Sequence, residues 1–245
     1  MKTFLSIFAL LLLFPIAQAE QVRLAVAANF LATAKALAPR FEKQYGHHLS
    51  ISGASTAKLY AQIVNGAPYD VLLAADQKHP LKLEQAGKVV AGTRFVYATG
   101  RIVLWSSEAK PLDANSLDNK TTSRLAIANP RTAPYGRAAQ QTLQAMGLWQ
   151  VLRPKLVQGE SVAQAFQFVA TGNAQLGIVA LSQVLNPANR YNQKYYWLVP
   201  EIYYAPLLQE AVLLEHGRDN AAAKQFLQFL RSEAAVNIMR SYGYH

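Results

Sequence analysis

The chain has 245 residues, 51% of them hydrophobic and 16% charged, a balance too apolar for a disordered polymer and ample for a buried core. Lys plus Arg number 24 against 14 Asp plus Glu, giving a formal net charge of +10, and there is no cysteine. Disulfide scaffolds, zinc ribbons, iron–sulfur clusters and thiol catalysis are thereby excluded.

The first 19 residues carry Lys2, an apolar run over 4–16 and the close Ala17-Gln18-Ala19. This is the pattern of a cleavable secretory signal peptide, with Glu20 first in the mature chain. The apolar run is too short for a good membrane span. The basic residues are scattered, with no arginine-rich tract or reading motif, so no nucleic-acid partner is expected. The surplus charge favours anions by long-range attraction.

Residues 22–28 are nearly all apolar, as in a strand buried on both faces. Asn29 follows as an N-cap residue. Ala34, Leu37, Ala38 and Phe41 recur at helical spacing, Pro39 predicts a kink or a break, and Gly46 ends the helix. Residues 49–52 predict a second strand. The turn Gly53-Ala54-Ser55-Thr56 leads into a helix carrying Leu59, Tyr60 and Ile63, which Gly66-Ala67-Pro68 stops. Residues 69–75 predict a third strand. A longer extended stretch covers 94–105, interrupted at Thr99-Gly100. A second alternating block begins at 125–128 and runs to Leu198, with a strand over 176–181. Residues 203–214 read as extended, punctuated by Pro206, and helices follow over 221–230 and 232–240. Strands alternating with short helices predict βαβ units and parallel sheets. Two such blocks without a flexible connector predict two lobes joined by extended strands; a single larger sheet is the alternative.

The candidate site residues are helix starts. A helix N-terminus has unpaired N–H groups and the positive end of the dipole, and it holds an oxyanion without any charged side chain. Four such segments follow strands: Ala27-Ala28-Asn29-Phe30, Ser52-Gly53-Ala54-Ser55-Thr56, the stretch 129–136 ahead of a helix over 138–146, and Gly159-Glu160-Ser161-Val162. Each alone reads as ordinary capping. Four in one chain are more informative, because parallel α/β sheets gather such starts along one edge.

Several segments together carry a family resemblance. They are Val26-Ala27-Ala28-Asn29-Phe30, Ser52-Gly53-Ala54-Ser55-Thr56, Ile63-Val64-Asn65-Gly66-Ala67-Pro68-Tyr69-Asp70-Val71 and Ala74-Ala75-Asp76. To these add Asn129-Pro130, Ala133-Pro134-Tyr135-Gly136, Leu176-Gly177-Ile178-Val179-Ala180 and the terminal Tyr242-Gly243-Tyr244. Over residues 22–244 the chain resembles the periplasmic molybdate-binding proteins of ABC importers, which are type II solute-binding proteins. The resemblance implies an α/β fold of two lobes, each a mainly parallel sheet flanked by helices, with the ligand cleft between them. It divides the chain into a signal peptide (1–19), lobe 1 (20–100 plus 202–245) and lobe 2 (101–201).

The implied function is capture of molybdate or tungstate in the periplasm and delivery to an inner-membrane ABC permease, by a monomer that is not an enzyme and needs no cofactor. Molybdenum enters only as the oxyanion. The ligand positions implied are Ala28, Asn29, Thr56, Tyr135 and Val162, with Ser55 as an additional contact. One branch of the family donates from a tyrosine hydroxyl where this chain has Ala180, and has alanine where this chain has Tyr135; the chain therefore resembles the other branch. The chemistry fits the residues: a tetrahedral dianion offers only acceptors, so its site needs backbone N–H groups, the Asn29 amide and the Thr56 and Ser55 hydroxyls. Asn29 and Thr56 are expected to donate, and Tyr135 and Val162 to act mainly through their N–H groups.

Two rival readings draw on other residues. Ser55-Thr56-Ala57-Lys58 matches the S-x-x-K signature of exported serine hydrolases. The partner motifs are missing, since Lys120-Thr121-Thr122 is not K-T-G and Ser116-Leu117-Asp118-Asn119 is not S-D-N. Tyr195-Tyr196 and Tyr203-Tyr204 suggest paired tyrosinates for ferric iron in a periplasmic ferric-ion-binding protein. In extended apolar runs, however, such pairs are ordinary strand residues. Asp70 and Asp76, at the ends of the third strand, are expected to cap the strand and make lobe-to-lobe polar contacts.

Overall fold

The computed structural model describes residues 20–118 and 120–245; the expected signal peptide lies outside them. In chain order the strands are β1 (Gln21–Ala27), β2 (His48–Ala54), β3 (Val71–Leu73), β4 (Phe95–Gly100), β5 (Ile102–Trp105), β6 (Leu125–Ala128), β7 (Leu156–Gly159), β8 (Leu176–Ala180), β9 (Tyr196–Leu198) and β10 (Leu207–Leu213). The helices are α1 (Leu31–Tyr45), α2 (Thr56–Val64), α3 (Lys78–Gln85), α4 (Pro134–Ala145), α5 (Trp149–Leu152), α6 (Val162–Ala170), α7 (Leu181–Val184), α8 (Ala221–Phe229) and α9 (Glu233–Ser241).

Among the described residues the strands form two five-stranded sheets, ordered β2-β1-β3-β10-β4 and β7-β6-β8-β5-β9. The chain passes from the first sheet to the second at Arg101 and returns between Leu198 and Leu207. The strand that follows each passage, β5 or β10, is antiparallel to both of its neighbours. The other four strands of each sheet therefore run in one direction, as expected of mainly parallel sheets. A strand that arrives from the other lobe enters from the cleft end, which reverses its direction. The interruption expected within 94–105 falls at Arg101, and the strands on its two sides, β4 and β5, lie in different sheets. The stretch 203–214 begins with a 3₁₀ turn, Glu201–Tyr203, before β10.

Strand alternation sorts the first sheet's side chains onto two faces. Val22, Leu24, Val26, Val71 and Leu73 pack with Phe30, Leu37 and Phe41 of the α1 region and with Phe226 and Phe229 of α8. Ala25, Leu72, Ala74 and Val212 face Leu59 and Ile63 of α2 and Leu83 of α3. The α1 helix runs unbroken through Pro39, contrary to the expected kink or break. Pro39 lies on the solvent side, where water can take the carbonyl that its missing N–H leaves unpaired. In the second sheet Trp105 is fully buried and stacks on Phe166 of α6 at 4.5 Å. Its indole N–H donates to the Asn192 carbonyl at 2.7 Å.

Gly136 is where the second lobe brings a helix start against a strand end. A Cβ there would run into the carbonyl of Ala128, the last residue of β6. Alanine normally gains about 0.5–1 kcal/mol over glycine inside a helix. Here overpacking against backbone outweighs that gain, at roughly 1–3 kcal/mol. Gly136→Ala is therefore expected to lower stability in urea unfolding; a stabilised variant would show that β6 and α4 have room to separate.

Candidate functional site

A small cavity lies where the two sheets face each other. It is lined by Ala28, Asn29, Ser55, Thr56, Tyr135 and Val162, all six residues expected from the sequence, and by Ala27, Ala75, Ala133, Pro134 and Ser161. Three helices begin on it. Thr56 is the first residue of α2, Tyr135 the second of α4 and Val162 the first of α6. Asn29 comes just before Phe30, the N-cap of α1. No lining residue is charged, so the field in the cavity comes from helix ends. Each carries roughly half a positive charge, so four together are of the order needed to offset a dianion.

The local sequence explains each start. Pro134 at the first position of α4 has no N–H to leave unpaired. Ser161 caps α6, its hydroxyl accepting from the Gln164 N–H. Ser55 occupies the N-cap position of α2 but makes no capping bond, and its hydroxyl has no partner among the described residues. The Thr56 hydroxyl accepts the buried Ala75 N–H at 3.1 Å. An oxygen that accepts there keeps its own proton for the cavity. The Ala28 N–H already donates to the Ala54 carbonyl at 2.9 Å, so Ala28 contributes shape, whereas the Asn29 N–H has no acceptor among the described residues.

The Asn29 side chain does not cap α1 as the sequence suggested. Its amide donates at 2.8 Å to Gln209 Oε1, at 3.1 Å to the Tyr244 hydroxyl and at 3.3 Å to the Tyr135 hydroxyl. The Gln209 amide also donates to Tyr135 at 3.3 Å, and Tyr97 donates to Gln209 Oε1 at 3.1 Å. Burial pushes the phenols of Tyr97 and Tyr135 well above their ordinary range and that of Tyr244 up to about 12, so all three remain protonated. Register shifts between β10 and β4 leave Tyr97 without a partner across the ladder, between Ala98 opposite Gln209 and Val96 opposite Glu210. Such a bulge turns a side chain to the other face, and Tyr97 and Ala98 are both buried.

Polar contacts join the lobes around the cavity. Ser182 of α7 donates to the Asn29 carbonyl at 3.0 Å and lies 2.9 Å from the hydroxyl of Tyr244, which donates to the same carbonyl at 2.9 Å from within its own lobe. The Ala57 N–H meets the Thr132 carbonyl at 3.4 Å. Arg137 of α4 pairs with Asp76 at 2.8 Å. Burial opposes ionisation of Asp76, but hydrogen bonds and charge from His79, joined by Arg137, outweigh it and hold the carboxyl below its usual range. Asp70 accepts from the Arg23 N–H at 2.7 Å and faces His216. These are the capping and cross-lobe roles expected of the two aspartates.

The rival site residues do not assemble. Lys58 is exposed, while Ser55 is buried at the cavity. Tyr196 lies on β9, Tyr203 ends a 3₁₀ turn, and neither tyrosine pair reaches the cavity. Among the described residues no group of three or more His, Asp or Glu is placed to hold a metal ion, and no helix is long and apolar enough to cross a membrane. Sequence reasoning missed Gln209, Tyr97 and Ser182. The one available signal was Gln209-Glu210, a polar pair inside the apolar run of β10.

The model of the bacterial extracellular solute-binding protein family matches residues 22–245. A molybdate-binding protein ModA of Azotobacter vinelandii is 48% identical over 230 residues, covering 93% of this chain and 91% of the relative. One from Rhodobacter capsulatus is 42% identical, covering 93% and 89%. The solved structure of an Azotobacter vinelandii periplasmic molybdate-binding protein superposes with a TM-score of 0.87 at 40% identity, covering 91% of this chain and 98% of that one. With its family model spanning nearly the whole described chain, and two facing lobes around an uncharged cavity of helix starts, this chain belongs to the bacterial extracellular solute-binding proteins.

Proposed function

We propose that this chain captures molybdate or tungstate between its lobes in the periplasm and delivers it to the permease of an inner-membrane ABC importer. The observation that carries this reading is the cavity, where four helix-start segments present N–H groups and hydroxyls and no carboxylate. The relatives' names support it. The chain acts as a binding protein, without catalysis, and the oxyanion is cargo. Residues 1–19 serve as the export signal, and the mature chain works as a monomer.

In this reading the moving bodies are lobe 1 (20–100 plus 202–245) and lobe 2 (101–201). The N–H groups of Asn29, Thr56, Tyr135 and Val162 and the hydroxyls of Thr56 and Ser55 take the anion's oxygens. Ala28 shapes the wall beside Asn29. Selectivity over sulfate follows from cavity size, because the two ions share shape and charge.

Calorimetry of the mature chain is expected to show one molybdate or tungstate bound per chain, far more tightly than sulfate or phosphate. Equal affinity for sulfate would remove the size argument, and no binding of any oxyanion would remove the transport reading. A hydrogen bond to a charged ligand contributes roughly 1.5–3 kcal/mol. Thr56→Val is therefore expected to weaken molybdate binding by about one to two powers of ten, while Thr56→Ser retains it. Loss in both variants would show that the Thr56 hydroxyl is not what matters and that the fit of the threonine side chain is. Bending near residues 99–101 and 200–204 closes the lobes, so small-angle scattering is expected to give a smaller radius of gyration with molybdate than without. An unchanged profile would instead indicate a rigid, preformed pocket.

A further inference from the structure

The hydrogen-bond balance beneath the cavity is incomplete as the amides now point. Asn29 Nδ2 has two protons and three acceptors in reach, at Gln209, Tyr244 and Tyr135. Asn29 Oδ1 receives no donor from any described residue. The Tyr135 hydroxyl receives both Asn29 and Gln209, and its own proton has no acceptor among the described residues. Gln209 is fully buried, so both ends of its amide take their partners from within the protein.

The two ends of an amide have the same shape and opposite hydrogen-bonding character. We infer that Gln209 is a positioning residue for the bound anion: it reverses together with Asn29, so that the Asn29 NH₂ group faces the cavity. This rests on the reading that the cavity takes an oxyanion. After reversal, Asn29 Oδ1 stands where Nδ2 stood and accepts from Gln209 Nε2, while the Tyr135 hydroxyl donates to Gln209 Oε1, which stands where Nε2 stood 3.3 Å away. The second Gln209 proton goes to Tyr97, whose own proton turns to the Ala74 carbonyl, 3.5 Å away. Ser182 keeps its bond to the Asn29 carbonyl, and the Tyr244 proton turns to Asn29 Oδ1, which now stands 3.1 Å away in place of Nδ2. Every phenol proton then has an acceptor, and both Asn29 Nδ2 protons are released to the anion. An oxyanion in the cavity accepts both protons through charge-assisted hydrogen bonds, which favours the outward orientation. Only an amide at 209 can exchange donor for acceptor in step with Asn29.

The test uses ¹⁵N-labelled mature chain, with the Asn29 NH₂ resonances assigned by their loss in Asn29→Asp. Wild type and Gln209→Met are titrated with molybdate, by NMR and by calorimetry. In wild type the Asn29 NH₂ pair is expected to move strongly at saturation. In Gln209→Met molybdate binds about tenfold more weakly, and the Asn29 pair stays at its anion-free position even at saturation. The inference is overturned if Gln209→Met binds as wild type does. It is also overturned if the variant binds weakly but its Asn29 pair moves as in wild type, since Gln209 would then only support packing. Should circular dichroism show Gln209→Met unfolded, Tyr135→Phe gives the same reading, because it removes the proton that drives the reversal. If wild type takes up molybdate while its own Asn29 pair stays still, the reversal is wrong and the transport reading stands. If wild type takes up no molybdate, the transport reading fails and this inference with it.

Discussion

The constraint on which the structure depends is that a site without charged side chains must gather its positive potential from backbone. One helix end supplies only a fraction of a charge and a few N–H groups, all pointing one way. Surrounding a tetrahedral anion therefore takes several ends aimed from different directions. A single sheet offers helix starts along one edge only. Two sheets facing each other double that supply and oppose it, which is the arrangement around this cavity: α1 and α2 start from one sheet, α4 and α6 from the other.

The two passages between sheets follow from the same need. Each lobe must be a complete α/β unit, yet the lobes must remain tied close to the cavity they share. The chain does this by giving each sheet one strand that arrives from the other lobe, β5 or β10, set between two strands of opposite direction. The passage at Arg101 is a single residue between β4 and β5. Gly100, beside it, has no side chain because the Tyr135 hydroxyl and the Gln209 amide occupy the space where a Cβ would stand. The tie between the lobes and the polar network beneath the cavity are thus one piece of structure.

That network also ties the C-terminal residues to the wall of the cavity through Asn29. Tyr244 is buried and reaches the Asn29 carbonyl and Ser182. Gly243 takes a positive φ of 82° and lies against Leu181 of the other lobe. The chain end lies across the lobe junction, where its phenol contributes a hydrogen bond that neither sheet provides.

Much of this was legible in the chain itself. The apolar runs of β1 and β3 marked strands buried on both faces, and the small polar residues after β1 and β2 marked helix starts, because a helix start favours residues that leave its N–H groups open. The family resemblance carried by the motif segments implied Ala28, Asn29, Ser55, Thr56, Tyr135 and Val162. Tertiary structure alone decided which donors remain free. The Ala28 N–H and the Thr56 oxygen are engaged by Ala54 and Ala75, and no periodicity records that. It also decided that Asn29 turns to Gln209 rather than capping α1, since those residues are 180 positions apart. It placed Tyr97 beside them by a one-residue slip in a ladder. Sequence patterns report local spacing and burial, whereas the partner of a buried polar atom is fixed only when distant strands close on one another.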